Sequence, residues 1–233
     1  MSDPISGLNI GQTRIGVDEA GKGDVFGPLV VAGVIVTPEV EDWLAKHGVR
    51  DGKQLSRGRV AELAQLVQVS CPVETLILQP PDYNVAYKEH GRNLNRLLAW
   101  GHARVISRLS RCMPVAKAIS DQFGNPNLLI QALAAEGCQI PLEQHPQAER
   151  DLAVAAASVV ARAAFIGAIE KFTCQLQLDI PLGASAGQVK EVGKYIYRRW
   201  GRQGLEQIAK MHFKTVREII TEVDNDRRST FSL

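Results

Sequence analysis

This chain of 233 residues predicts an α/β fold, a mixed sheet flanked by helices, on three observations. Two strand-like runs, residues 14–19 and 27–37, follow one another with only a glycine-rich turn between them. Shorter apolar runs then alternate with helical stripes, and the last third is mostly helical. Consecutive strands followed by alternation mean a sheet of mixed direction with helices packed on it.

The first strand closes on two acids, Asp18 and Glu19, and Gly21-Lys22-Gly23-Asp24 turns the chain into the second, a hairpin-like pair. Residues 28–36 are almost uninterruptedly apolar, long enough for a strand and too short for a membrane span. Residues 38–46 suit a short helix, with Pro at its start, acids in its first turn and Lys at its end. A polar turn follows at 50–54, and Ser56 caps a helix to about Val69. Val, Thr, Ile and Leu make 73–78 a strand, broken by Pro80-Pro81. Residues 93–109 put Leu94, Leu97, Leu98, Val105, Ile106 and Leu109 on one helical stripe. A strand over 115–120 ends at Asp121, a short helix over 125–137 stops at glycine, and 139–143 reads as an edge strand. Residues 152–176 form a long Ala-rich helix, and further helices are predicted at 186–200, 205–210 and 215–223.

Composition bounds the class. An apolar fraction of 45% and a charged fraction of 22% are those of an ordinary globular chain, and a net charge of +2 neither demands nor rules out nucleic acid. The first residues lack the basic and apolar regions of a signal peptide, and no uninterrupted run approaches twenty apolar residues. Cys71, Cys112, Cys138 and Cys174 are scattered without CxxC or Cys/His spacing, so a reduced, cytoplasmic protein with no membrane partner is expected.

Acids collect where strands end or helices begin. Asp18 and Glu19 close the first strand, Asp121 closes the strand AKAIS, and Glu149 and Asp151 stand before the Ala-rich helix. Read from position alone, Glu149 and Asp151 serve equally well as first-turn acids favoured by the helix dipole, Asp18 and Glu19 could form a solvated turn, and Asp121 by itself needs no functional role. Carboxylates gathered at one sheet edge would raise each other's pKa unless a divalent cation neutralised them. Oxygen ligands without His or Cys favour Mg²⁺ or Mn²⁺ over Zn²⁺. Two such ions about 3.5–4 Å apart are the arrangement that cleaves phosphodiesters. A P-loop nucleotidase fails on pattern, because no GxxxxGK[ST] follows the first strand.

The segments DEAGKGDVFGPLVVAGVIV, ISDQFG, AERDLAVAAASVVARAAF and AKMHFKT, in this order, resemble the type 2 ribonucleases H, and DGKQL at 51–55 is similar to that family's DSKKL segment. The resemblance runs from about Arg14 to about Val216 and implies a ribonuclease H-like mixed sheet. Three regions are expected: an N-terminal extension over 1–13, a catalytic core over 14–185, and a C-terminal helical region over 186–233 packed on the core. GKGD, NLNRLLAW, DQF and a Glu rather than Asp before the Ala-rich helix look nearer to the HIII branch than to HII. HIII enzymes usually carry an N-terminal substrate-binding domain, whereas here few residues precede the first strand.

Carried over residue by residue, the family's metal-binding and catalytic acids fall on Asp18, Glu19, Asp121 and Glu149, with Asp151 a rival for the last. Gly21, Lys22 and Gly23 match its GRG-like motif, whose backbone contacts substrate 2′-hydroxyls, the group that distinguishes RNA from DNA. Lys53, Asn93, Asn95 and Gln122 are further substrate-binding candidates, and Asn93 serves equally as a helix N-cap. Lys190, Lys194, Arg198, Arg199 and Arg202 fall at spacings that make one basic helical face, for phosphate or for solvent, and Tyr195 and Tyr197 lie among them. His102 and His145 have no evident partner.

The resemblance implies two-metal hydrolysis of the RNA strand of an RNA/DNA hybrid, leaving 3′-OH and 5′-phosphate ends, with one ion between Asp18 and Asp121 activating water. No organic cofactor is expected, and the enzyme is expected to act as a monomer in replication and repair. The alternatives are HII-like cleavage at single embedded ribonucleotides and a non-catalytic hybrid-binding protein.

Overall fold

A computed structural model describes residues 11–49, 55–185 and 187–230. Among them are the strands β1 (Arg14–Ala20), β2 (Leu29–Val36), β3 (Val73–Leu78), β4 (Lys117–Asp121) and β5 (Leu142–His145), in one sheet ordered β3-β2-β1-β4-β5. β1 runs antiparallel to β2 and parallel to β4, and β4 runs parallel to β5, so the sheet is mixed as predicted. The helices are α1 (Pro38–Lys46), α2 (Arg57–Ser70), α3 (Pro80–Glu89), α4 (Leu94–Ser110), α5 (Asn127–Ala135), α6 (Leu152–Leu176), α7 (Gly187–Ile208) and α8 (Lys214–Thr230).

α8 runs on to Thr230 rather than ending near 223, and three other elements also differ from what the sequence predicts. The proline pair at 80–81 ends β3 but also starts α3, because proline's fixed φ and missing N–H suit the first helical turn. α7 continues past Trp200 through a kink at Gly201, which takes φ 64° and ψ −161°. β5 lies at Leu142–His145, a few residues later than expected, and pairs through Asp121↔His145.

The chain divides into two compact units. The first comprises Met1–Ala20, Val30–Leu76 and Asn93–Ala164, and carries most of the sheet. On one side of that sheet Ile15, Val17, Val31 and Ile35 pack with Ala99, Ala103, Val105, Ile106 and Leu109 of α4 and with Leu129 and Leu133 of α5. A second cluster joins Ile119 of β4, Ala148 and Val154 of α6. α6 is long and apolar enough to cross a membrane by length and composition, but 67% of its most apolar window is buried in the folded chain, as in a core helix.

The second unit comprises Gly21–Leu29, Ile77–Arg92 and Phe165–Leu233. Its organising side chain is Lys210, fully buried. Nζ donates to the carbonyls of Asp24 (2.9 Å) and Gly27 (2.7 Å) and lies 5.6 Å from the centre of the Tyr83 ring. Backbone bonds from Lys210 N to Val25 O, Gly27 N to Ile208 O and Val25 N to Gly183 O fasten the same loop, and Asp24 Oδ1 accepts from Gly183 N at 2.6 Å. Burial lowers the Lys210 amine to about 7, against the opposing charge of Asp24. A neutral amine has two N–H groups, which matches the two carbonyls.

Lys210→Met should leave both carbonyls without this donor and cost about 2 kcal/mol. The sign of its pH dependence follows from the lowered pKa. Between about 7 and the ordinary 10.5 the unfolded chain holds a proton that the folded chain has released. The stability advantage of wild type over Lys210→Met therefore grows as pH rises through that window. Urea melts of both proteins across the window measure it, and a flat difference would mean that the amine stays charged in the fold.

Candidate active site

β1 and β4 pair in parallel through Arg14↔Lys117, Ile15↔Ala118, Gly16↔Ile119 and Val17↔Ser120. Asp18 and Asp121 are therefore the next residues along two neighbouring strands, at the same sheet edge. Gly16 allows this edge its backing helix, since a Cβ there would meet the carbonyl carbon of Ala153 at 2.0 Å and Val154 N at 2.2 Å. β1 and the first turn of α6 thus touch backbone to backbone.

Each acid is held. Asp18 Oδ1 accepts from the Glu19 amide (2.8 Å), and the Ser158 hydroxyl of α6 also hydrogen-bonds its carboxylate. Burial, then the adjacent Glu19 charge, push the Asp18 carboxyl up to about 6, against the pull of these bonds and of His102. The Glu19 side chain is only 2% exposed, and Oε2 lies 2.9 Å from Nε2 of the wholly buried His102. His102 Nδ1 lies 3.0 Å from Ser120 Oγ, next to Asp121, and its ring meets Phe123 edge-on. A carboxylate only accepts, so Nε2 carries hydrogen toward an ionised Glu19, while the Ser120 hydroxyl lies between Nδ1 and the Asp121 carbonyl, to which it donates at 3.1 Å. His102 and Ser158 were both missed by sequence reasoning, and His102, read there as partnerless, links Glu19 to β4.

Asp121 Oδ1 accepts from the Ala148 amide at 3.3 Å. Ala148 opens a 3₁₀ turn, Ala148–Arg150, entered through Gln147 in left-handed conformation, so Glu149 is one residue from the group that binds Asp121. The rival Asp151 is occupied differently. Its Oδ1 accepts from Ala153 N (2.8 Å) at the start of α6, and its Oδ2 accepts from Arg14 Nε (2.7 Å). Arg14 also grips Glu41 through both terminal nitrogens, at 3.0 and 2.6 Å. Asp151 is thus a cap and an ion-pair partner.

The backbone places Asp18, Glu19 and Asp121 at the ends of two neighbouring strands, and Glu149 follows the residue whose amide binds Asp121. Among the described residues no three His, Cys, Asp or Glu side chains stand close enough to hold an ion together. The donors are nevertheless hard oxygens, and the raised proton affinity of Asp18 is the strain that a divalent cation would relieve. That chemistry fits Mg²⁺ or Mn²⁺.

The substrate-binding candidates divide. Gly21 (φ 85°) is required by the fold, since a Cβ there would meet Pro28 O at 2.3 Å and the Phe165 ring at 2.8 Å. Gly23 faces open space, so the fold does not require its bare backbone. Lys53 lies outside the described residues. Asn93 caps α4, accepting from Arg96 N at 3.2 Å. A Cβ on Gly124 would meet Asn95 Nδ2 at 2.7 Å, and the exposed Gln122 donates to Gly124 O at 3.4 Å.

The expected basic face of α7 is largely neutralised. Lys190 pairs with Glu218 (2.7 Å) and Glu222 (3.4 Å), Lys194 with Glu222 (2.8 Å), Arg198 with Asp226 (2.8 Å), and Arg202 with Glu206 (2.9 Å). Except for Arg202, these cations spend their charge on α8. Tyr197 donates to the Asp224 carboxylate at 3.2 Å, and Tyr195 meets Trp200 edge-on.

Known proteins give a consistent comparison. A family profile described as Ribonuclease HII matches residues 15–216. Ribonuclease HIII of Chlamydia caviae is 44% identical over 209 residues, 88% of this chain and 69% of that protein. Ribonuclease HIII of Protochlamydia amoebophila is 40% identical over 210 residues, 90% of this chain and 69% of that protein. The crystal structure of Bst-RNase HIII in complex with Mn²⁺ superposes with a TM-score of 0.84 at 30% identity, over 92% of this chain and 71% of that one.

Proposed function

As the chain belongs to the ribonuclease HII family, we propose that it is an endoribonuclease acting on the RNA strand of RNA/DNA hybrids with HIII-like preference. The observation that carries the reading is the carboxylate edge, where parallel pairing of β1 and β4 sets Asp18 and Asp121 side by side.

Asp18, Glu19, Asp121 and Glu149 would hold two divalent ions, Mg²⁺ or Mn²⁺, which supply activation of water and stabilisation of the departing 3′-oxygen. The chain's own part is positioning. Ser158 fixes Asp18, His102 fixes Glu19 from behind, and the Ala148 amide fixes Asp121. Glu149 is the fourth acid in this reading because Asp151 is committed to Arg14 and to the α6 cap. Gly21, Lys22 and Gly23 offer their backbone to 2′-hydroxyls, a role supported by the open space at Gly23. Asn95 and Gln122, beside Gly124, are the further contacts, with Lys53 by resemblance alone. The products carry 5′-phosphate and 3′-OH ends. The identity of 40–44% to proteins named ribonuclease HIII supports that branch.

The test compares a uniform RNA/DNA hybrid with a DNA duplex holding one ribonucleotide, both labelled, in Mg²⁺ and in Mn²⁺. Cuts at many positions of the hybrid and slow attack on the lone ribonucleotide are expected. Efficient cutting at the lone ribonucleotide would overturn the HIII-like preference. No cleavage of either duplex would leave a binding protein without catalysis.

A further inference from the structure

Lys190, Lys194 and Arg198 of α7 are paired to α8, and Arg199 lies over the Trp200 ring, but another group of cations in the second unit faces a cavity. A cavity of about 560 Å³ is walled by α3, the turn after it, the end of α7 and the start of α8. Lys88, Arg92, Arg202 and Arg217 line it, against the single carboxylate of Glu206. Arg202 is paired with that carboxylate, but among the described residues Lys88, Arg92 and Arg217 have no ion-pair partner.

Three like charges around one concavity repel one another, and a concave wall concentrates their field. His212, on the same wall, is held down to about 4 by burial first and then by Lys210 and Arg217. The cavity floor is built rather than incidental. Asn84 Nδ2 donates to Ala209 O (3.0 Å) and its Oδ1 accepts from Met211 N (2.9 Å), which locks α3 to the segment before α8. The Tyr87 and His212 rings lie 4.5 Å apart with planes 31° apart, and the Arg92 amide is fixed to Tyr87 O at 2.8 Å. Unpaired cations beside fixed aromatic faces suit sugar-phosphate backbone, in which phosphates position the strand without reading sequence.

We propose that this cavity binds phosphodiester groups of a nucleic-acid strand through Lys88, Arg92 and Arg217, as a contact additional to the carboxylate edge. The proposal rests on the reading of the chain as a hybrid nuclease, which makes the occupant the hybrid substrate itself.

The test is the salt dependence of binding to a labelled RNA/DNA hybrid without divalent ions. Lys88→Gln/Arg217→Gln should lower the slope of log K against log salt by about 2, one for each phosphate no longer neutralised, and weaken binding about tenfold or more. In Mg²⁺ its KM should rise while kcat stays within about twofold, as expected when ground-state and transition-state binding weaken equally. Lys88→Arg/Arg217→Lys keeps the charges and should keep the slope.

An unchanged slope in the Gln variant, with wild-type cleavage intact, overturns this site and leaves the nuclease reading standing. Wild type that neither binds nor cuts the hybrid overturns both. Inorganic phosphate at millimolar levels supplies the remaining arm. If it raises the Tm of wild type but not of the Gln variant while the slope is unmoved, the cavity takes a small free anion and the nucleic-acid assignment falls.

Discussion

Asp121→Asn is expected to lower hybrid cleavage about a thousandfold or more while leaving the fold intact. The two halves have separate grounds. Asn keeps an Oδ1 that accepts from the Ala148 amide, now 3.3 Å from the carboxylate, so the link between β4 and the 3₁₀ turn survives. What disappears is one negative charge and one hard oxygen ligand. If the carboxylate helps to hold ions that stabilise transition-state charge by several kcal/mol, losing about 4 kcal/mol of that gives roughly a thousandfold. Stability without metal should stay within about 0.5 kcal/mol of wild type, or rise slightly as repulsion among the acids eases. Mg²⁺ or Mn²⁺ should then raise the Tm of wild type more than that of the variant, because only a folded ligand set gains from binding. Single-turnover cleavage with thermal melts in and out of metal measures all of this. Near-normal cleavage at ordinary Mg²⁺ would remove Asp121 from the catalytic set.

Much of this edge was legible because its signals are local. An apolar run ending in Asp18-Glu19, a strand ending in Asp121 and an Ala-rich helix are each contained in one stretch of chain. What holds the acids was illegible because it is a matter of register. His102 lies eight residues into α4 and meets Glu19 only because α4 packs across β1, and nothing near it in sequence distinguishes it from a core histidine. Ser158 is likewise one small residue in an alanine run until α6 is set against β1.

The pairing of α7 with α8 does have a signal in the sequence. Lys190, Lys194 and Arg198 recur every four residues, and so do Glu218, Glu222 and Asp226 on α8. Two such complementary stripes on successive helices predict an ion-paired helix hairpin rather than a phosphate-binding face. Lys88 and Arg92 also stand four apart, but Arg217 is far from them in sequence, and the proline pair that starts α3 reads in sequence as the end of a strand.

Gly16→Ala is expected to be the most damaging single-methyl change in β1. The added carbon would stand 2.0 Å from the carbonyl carbon of Ala153, 2.2 Å from Val154 N and 2.4 Å from Ala153 O. These are backbone atoms of the first turn of α6, so no side chain can rotate away, and either the strand or the helix start must move. Overpacking of this kind costs about 3 kcal/mol at the upper end of the usual range, a Tm loss of roughly 6–12 °C for a chain of this size. Any folded fraction should also cleave poorly, because α6 carries Ser158 against Asp18 and a shift of a few tenths of an ångström reaches the acid directly. Gly23→Ala isolates the opposite effect. Its position is open, so stability should hold within about 0.5 kcal/mol, while a methyl on the surface offered to substrate should weaken hybrid cleavage. Thermal melts and cleavage assays on the two variants therefore separate packing from recognition within one short stretch of chain. A Gly16→Ala protein that melts like wild type would show that β1 and α6 do not make the backbone contact on which the carboxylate edge depends.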